Sequence, residues 1–459
     1  MSHAMLPRRE MLRTTGAGFG MLSLAGLLNS PAQALPVSDR ISNGAAPRAK
    51  RVIFLFMNGG PSHVDTFDPK PALAKYDGQK PEKTHLNRGG NWMASPFKFA
   101  AHGESGVQMS ELFPNLARCA DDVCVLRSMH TDVPNHEPGL LIMHSGHQQP
   151  TRPSLGSWVT YGLGTENENL PSFVSICPGR PVVGPYLWSN GFLPGEFQGV
   201  QVNTRQMEVQ KLIRNLNHPT MTRQQQHQQL NLLAKLNRKH LQQRQQDAQL
   251  EAQIRAMELA FAMQKEAHVA FDVSRETKSV RESYGDSVFG RSCLLARRLA
   301  EHGVRFTQVY YVDGGKQPWD THSDNNARHE KLCADSDRAS AALITDLKRR
   351  GMLDDTLVVW GGEFGRTPYA QKGKKPGRDH HNTGFSMFMA GGGVKGGTMH
   401  GATDDFGMHA VENRVHVHDL HATILHLLGI DHTKLTYRYS GRDFRLTDVH
   451  GNVVHEILA

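Results

Sequence analysis

The run Thr356-Leu357-Val358-Val359-Trp360-Gly361-Gly362-Glu363-Phe364-Gly365-Arg366-Thr367-Pro368 constrains this chain more than any other stretch. A threonine and four apolar residues, mostly β-branched or aromatic, precede a glycine pair. That pattern reads as a strand buried on both faces, as in a parallel sheet covered by helices. Glu363 falls just past its carboxyl end, and in open α/β sheets the ligand crevice lies outside the carboxyl ends of the strands. A polar loop, Gly377-Arg378-Asp379-His380-His381-Asn382, follows within twenty residues. Its imidazoles and carboxylate are the donors that divalent metals take.

The same pattern recurs along the chain. Arg51 to Met57 is a strongly apolar strand that ends in Asn58-Gly59-Gly60-Pro61-Ser62-His63-Val64-Asp65. Ser110 to Asp122 reads as a helix with Ser110 as N-cap, followed by the strand Val123–Arg127. Beyond it lie His130, Asp132, His136 and Glu137, in a Pro/Gly loop leading to a helix whose positive N-terminus favours an anion. The stretch closes at His144-Ser145-Gly146. Later come a helix from Ser287 to His302, a strand from Val304 to Tyr311, and Asp313, Asp320, His322 and Asp324 just past it. A helix from about Asn326 to Arg350 leads into the Thr356 strand. Phe385 to Ala390 is a late strand, and His418 to Leu428 a final helix. Residues 70–106 read as an irregular surface excursion.

Four strand ends therefore deliver Asn58, His136, Asp320 with His322, and Glu363 with His380 and His381. Such a set suits a divalent metal that polarises a phosphoryl or sulfuryl oxygen or activates water. The chain has no Walker loop, no GxGxxG after its first strand and no GxSxG elbow. Those absences argue against nucleotide-hydrolysing, dinucleotide-binding and serine-hydrolase classes.

The 459 residues, 38% of them apolar, allow a large core with an insertion. Residues 204–282 are that insertion: Gln224 to Gln264 carries Gln/Arg runs with leucines and neither Gly nor Pro, as a solvated helical arm would. Residues 1–34 read as an export signal. Arg8-Arg9 precede a weakly apolar run, Gly16 to Leu28, too short to span a bilayer, and Ala32-Gln33-Ala34 offers a cleavage site. Residues 35–50 read as a linker, leaving no transmembrane segment in the mature chain. Cleavage lowers the formal charge from +8 to +6, which is mild and spread along the chain, so nucleic acid is not indicated. The five cysteines form no CxxC, which excludes a disulfide framework and a zinc knuckle, though one pair has the option of bridging.

Order and spacing resemble the alkaline phosphatase and sulfatase superfamily. The carriers are Pro114-Asn115-Leu116, His136-Glu137-Pro138 running to His144-Ser145-Gly146, Asp337-Arg338-Ala339, His381-Asn382-Thr383-Gly384, and Val417-His418-Asp419-Leu420 to Ile430. Gly59–Asp68 and Trp360–Pro368 are similar to a Tat-exported bacterial family catalogued as a domain of unknown function, number fifteen hundred and one. The resemblance implies an alkaline-phosphatase-like three-layer α/β sandwich with a central, mostly parallel sheet, formed by 51–203 and 283–459. It also implies a periplasmic or envelope location, reached by the twin-arginine route. Three positions depart from the superfamily pattern: Asn58 for the strand-one Asp, His136 for the nucleophile, and Glu363-Phe364 for the Asp-His pair. One metal ion (zinc, manganese or calcium) is then expected, held by Asp320, His322, Glu363 and His381. His136 and Asn58 are expected to be catalytic, with His63, Arg366 and His380 contacting an anionic phosphate or sulfate ester, small or glycan. The alternative is a catalytically silent envelope protein that binds a sugar or a protein partner.

Overall fold

The computed structural model describes residues 41–81, 89–212, 220–243, 258, 261–263, 266–371 and 373–459. The export signal, the first part of the linker and part of the expected insertion lie outside these residues. Of the insertion, Val209–Leu212 and Arg223–Gln243 are helical, and Ala267, Ala270 and Phe271 are buried in the core.

The chain builds one nine-stranded sheet from β1 (Arg51–Met57), β2 (Val123–His130), β3 (Phe173–Ile176), β4 (Val200–Val202), β5 (Phe306–Tyr311), β6 (Thr356–Gly361), β7 (Phe385–Ala390), β8 (Thr398–His400) and β9 (Val415–His416). Their order is β8-β2-β7-β6-β1-β5-β3-β4, with β9 also pairing β2. Only β7 runs against the rest, antiparallel to both β2 and β6. All other carboxyl ends therefore open on one edge of the sheet. β1 sits between β5 and β6 in parallel register, Val52 opposite both Phe306 and Leu357.

Helices cover both faces, and β1 shows why. Its side chains alternate, so Ile53, Leu55 and Met57 enter one core while Val52, Phe54 and Phe56 enter the other. The first core packs against α3 (Val288–Glu301) and α4 (Asn325–Arg349), the second against α1 (His136–Ser145), α2 (Leu155–Leu163) and α5 (Val417–Leu427). Both faces of β6 are buried throughout, as its apolar run requires. This is the expected three-layer α/β sandwich.

Three local expectations fail for physical reasons. Ser110–Asp122 is not one helix: Val107–Ser110 is a strand and Leu116–Asp122 a 3₁₀ helix. Pro114 disfavours the α conformation at Phe113, and the backbone amides of Asn115 and Leu116 are taken by the Asp337 carboxylate, at 2.7–3.1 Å. The polar stretch after Gly377 is a strand, Gly377–His381, paired antiparallel with Gly365–Gln371. It can be polar because its buried groups are partnered: Arg378 forms a fork with Asp65 at 2.8 and 3.1 Å. Residues 70–106 contain a short helix, Pro71–Tyr76, and strands Gly89–Trp92 and Phe99–His102. All five cysteines are buried and unbridged.

Candidate metal centre

At the carboxyl edge, between β1, β5 and β6, four side chains turn inward on one point. His136, Asp320, His322 and His380 each present a donor atom within 4.8 Å of the others. Asp320 Oδ1 is the focus. His322 Nε2 lies 2.9 Å from it, His136 Nε2 and His380 Nε2 each 3.3 Å, and the Arg366 guanidinium 2.7 Å.

Backbone geometry brings these groups together. Gly59 has φ +116°, and a Cβ there would stand 2.4 Å from the amide nitrogen of Asp320. Only glycine lets β1's exit loop lie directly under the loop carrying Asp320. In the same way, a Cβ at Gly377 would strike the carbonyl carbon of His322 at 2.0 Å, so glycine seats His322 beside the hairpin. Arg366 and His380 are cross-strand partners in that hairpin, which places both over Asp320. His136 is the first residue of α1, behind Asn135.

The outer nitrogens fix which way the imidazoles point. His136 Nδ1 donates to Glu363 Oε1 at 2.6 Å, leaving its Nε2 lone pair directed inward. His322 Nδ1 donates to Gln371 Oε1 at 2.9 Å, with the same result. Glu363 is fully buried and is itself held by the Gly59 amide at 3.0 and 3.1 Å. This carboxylate–imidazole relay is how metal-binding histidines are oriented. Three imidazole nitrogens and one carboxylate, with the outer N–H groups of His136 and His322 tied back, fit a tetrahedral divalent ion. His322 Nε2 and His380 Nε2 stand 2.9 Å apart, so at most one of them carries a proton.

Burial opposes a charged His136, yet hydrogen bonds to Asp320 and Glu363 outweigh it and push its pKa up to about 9. Burial would likewise raise Asp320, but His136, His322, His380 and Arg366 together hold it well below the usual carboxylate range. Burial dominates at His380 and lowers its pKa. Without a metal the centre is thus a compact ion-paired cluster, and loading it displaces a proton.

The cluster contains Asp320 and His322 of the expected ligands, but not Glu363 or His381. Neighbouring residues of a strand face opposite ways. His380 meets the cluster, while His381 bonds the Met408 carbonyl at 2.6 Å and stacks on His63. His63 is buried there too, with Nε2 on the Gly407 carbonyl at 2.9 Å, away from the four donors. Arg366 is buried against Asp320 and the carbonyls of Gly59 and Gly60. Asn58 is fully buried at the end of β1, and neither atom of its amide has a partner among the described residues. Gln371 escaped the sequence reading, which also gave Phe364 no part in the centre. Gln371 orients His322, and the Phe364 ring lies 5.0 Å from that of His136 and 4.9 Å from that of His380. Strand alternation through 377–381 was the available signal, hidden by polarity on both faces.

Residues 49–458 match the family model described as "Protein of unknown function (DUF1501)". No curated protein matches the chain. Similar solved structures include the PsFucS1 sulfatase from Pseudoalteromonas sp., at 12% identity over 83% of this chain and 68% of that one, TM-score 0.36. The lipoteichoic acid synthase LtaP from Listeria monocytogenes is 10% identical over 93% and 79%, TM-score 0.38. The phosphonate monoester hydrolase of Agrobacterium radiobacter is 10% identical over 84% and 74%, TM-score 0.36.

Proposed function

Because the chain belongs to the DUF1501 family, described only as of unknown function, its activity has to be argued from the centre itself, and we propose an exported, metal-dependent hydrolase of phosphate or sulfate esters, glycan esters among them. The observation that carries this reading is the convergence of three inward imidazole nitrogens on Asp320, with outer N–H groups held by Glu363 and Gln371. In the proposal His136, Asp320, His322 and His380 hold one divalent ion, and Glu363 orients His136. A divalent ion bound there supplies Lewis acidity toward an ester oxygen. His136 then has both nitrogens engaged, so it is a ligand and not the nucleophile that its place in the sequence suggested. Buried Arg366 offsets the charge of Asp320 and keeps that carboxylate ionised. Asn58, buried at the end of β1 with no amide partner among the described residues, is assigned in the proposal to hold a water or substrate group there. Export by the twin-arginine route, and the insertion at 204–282, belong to the same proposal. Among the described residues no helix is long and apolar enough to cross a membrane.

The test combines metal content with turnover. Mature protein is expected to carry about one zinc or manganese ion and to cleave members of an aryl phosphate and sulfate panel. His322→Ala is expected to lose both. A metal-free protein unmoved by zinc, manganese or calcium removes the centre. A metal-loaded protein silent across the panel removes the hydrolase and leaves the binding protein.

A further inference from the structure

A second set of imidazoles stands on the same sheet edge, away from the four donors. His130 ends β2 and is the register partner of His416 on β9; their rings lie 5.0 Å apart. The His416 ring is 4.8 Å from that of His418, and His418 stacks flat on exposed His450 at 5.0 Å. His421 follows one helical turn on.

Three of these rings are each held in one tautomer by the backbone groups they bond. His416 caps α5: its Nδ1 accepts from the backbone amide of His418 at 3.2 Å, which a protonated nitrogen cannot do. His418 Nε2 donates to the Gly146 carbonyl at 3.0 Å, and His421 Nε2 to the Met143 carbonyl at 2.8 Å. Those carbonyls belong to the last turn and C-cap of α1, the helix whose first residue is His136. With Nε2 as donor, Nδ1 of each ring is a bare lone pair, buried and without a partner among the described residues. A proton added there would find no acceptor.

We propose that His418 and His421, beside the His416 cap, form an acid-sensitive clamp that grips the far end of α1 and releases it, with the start of α5 and the His450 segment, as pH falls. The groups facing the clamp are of both signs. Asp132 lies 3.4 Å from His416 Nε2 and Asp419 completes the capping box, while Arg414 is a fixed positive charge and His130 and His144 add more on acidification. The carbonyl end of α1 favours a cation, but burial outweighs it. It lowers His418 and pushes His421 down to about 3, and His130, beside His416 and Arg414, down to about 4. With folded pKa values below the free value, the clamped form is at full strength above about pH 6.5 and weakens as pH falls toward about 4.

Hydrogen exchange of the full mature chain between pH 7.5 and 4.5, corrected for intrinsic rates, tests the clamp. The first turn of α5, the last turn of α1 and residues 447–453 are expected to lose protection together, by about tenfold per pH unit for each proton taken up. At each pH β1 and β6 are expected to stay better protected than these segments. The single variants His418→Gln and His421→Gln and the double variant are expected to flatten the dependence. Equal protection of these segments and of β1 and β6 at every pH, or an unchanged pH profile in both single variants, overturns the clamp. Should the double variant not fold, the wild-type profile and the single variants decide alone. The outcome is independent of whether the centre at Asp320 binds metal.

Discussion

At the scale of single residues, Asp320 carries the most weight. Its carboxylate is the counter-charge of Arg366, whose side chain is fully buried. Removing one partner of a buried pair costs about 3–5 kcal/mol, because the other charge is left uncompensated. Asp320 is 26% exposed, so Asp320→Asn in chelator is expected near the low end of that range by urea denaturation. Glu363→Gln keeps the shape of the buried side chain but weakens its hold on His136. Loss of an outer partner of this kind costs about 10–100-fold in metal affinity, read by zinc titration with the fold intact. An unchanged affinity would return Glu363 to a purely structural role. The sequence showed these residue types clearly. It did not show which of His380 and His381 faces the centre, because a run of five polar residues carries no apolar alternation to mark an inward face.

At the scale of elements, the strands were legible where they are apolar. β1 and β6 were readable because burial on both faces leaves a near-continuous hydrophobic run, and β5 and β7 because β-branched, aromatic and methionine side chains outweigh Thr307, Gln308 and Ser386. The hairpin at Gly365–His381 was not, since its interior is filled with matched charges such as Asp65 and Arg378, both fully buried. Helix ends were readable where a side chain caps them: Ser287 accepts from the Gly290 amide at 2.9 Å and starts α3. The most sensitive joint is Gly59, where a left-handed φ and a backbone contact coincide. Gly59→Ala is expected to cost at least the 1–3 kcal/mol of a strained backbone residue. It is also expected to displace Asp320, so metal stoichiometry falls along with the melting temperature. A variant that melts lower but still binds metal at full stoichiometry would separate the two effects.

At the scale of the whole molecule, buried neutral histidines set the acid limit. Burial is the leading cause that pushes His63, His144 and His329 down to about 4. Their folded values lie below the free value, so their contribution is complete above about pH 6.5 and is lost as pH falls toward 4. Each is worth about 3 kcal/mol across that window. Urea midpoints at pH 7.5, 5.5 and 4.5 are expected to fall steadily, and a flat series would contradict the neutral assignment. The parallel sheet has a further consequence, in the order of assembly. β1 is made first, yet both of its neighbours are encoded more than 250 residues later. At about 5–20 residues per second, a ribosome exposes that apolar strand unpaired for many seconds. The centre waits longer still, because its last donor, His380, comes after both partner strands. A nascent chain halted before Phe306 therefore has an orphan first strand and lacks every donor of the centre but His136.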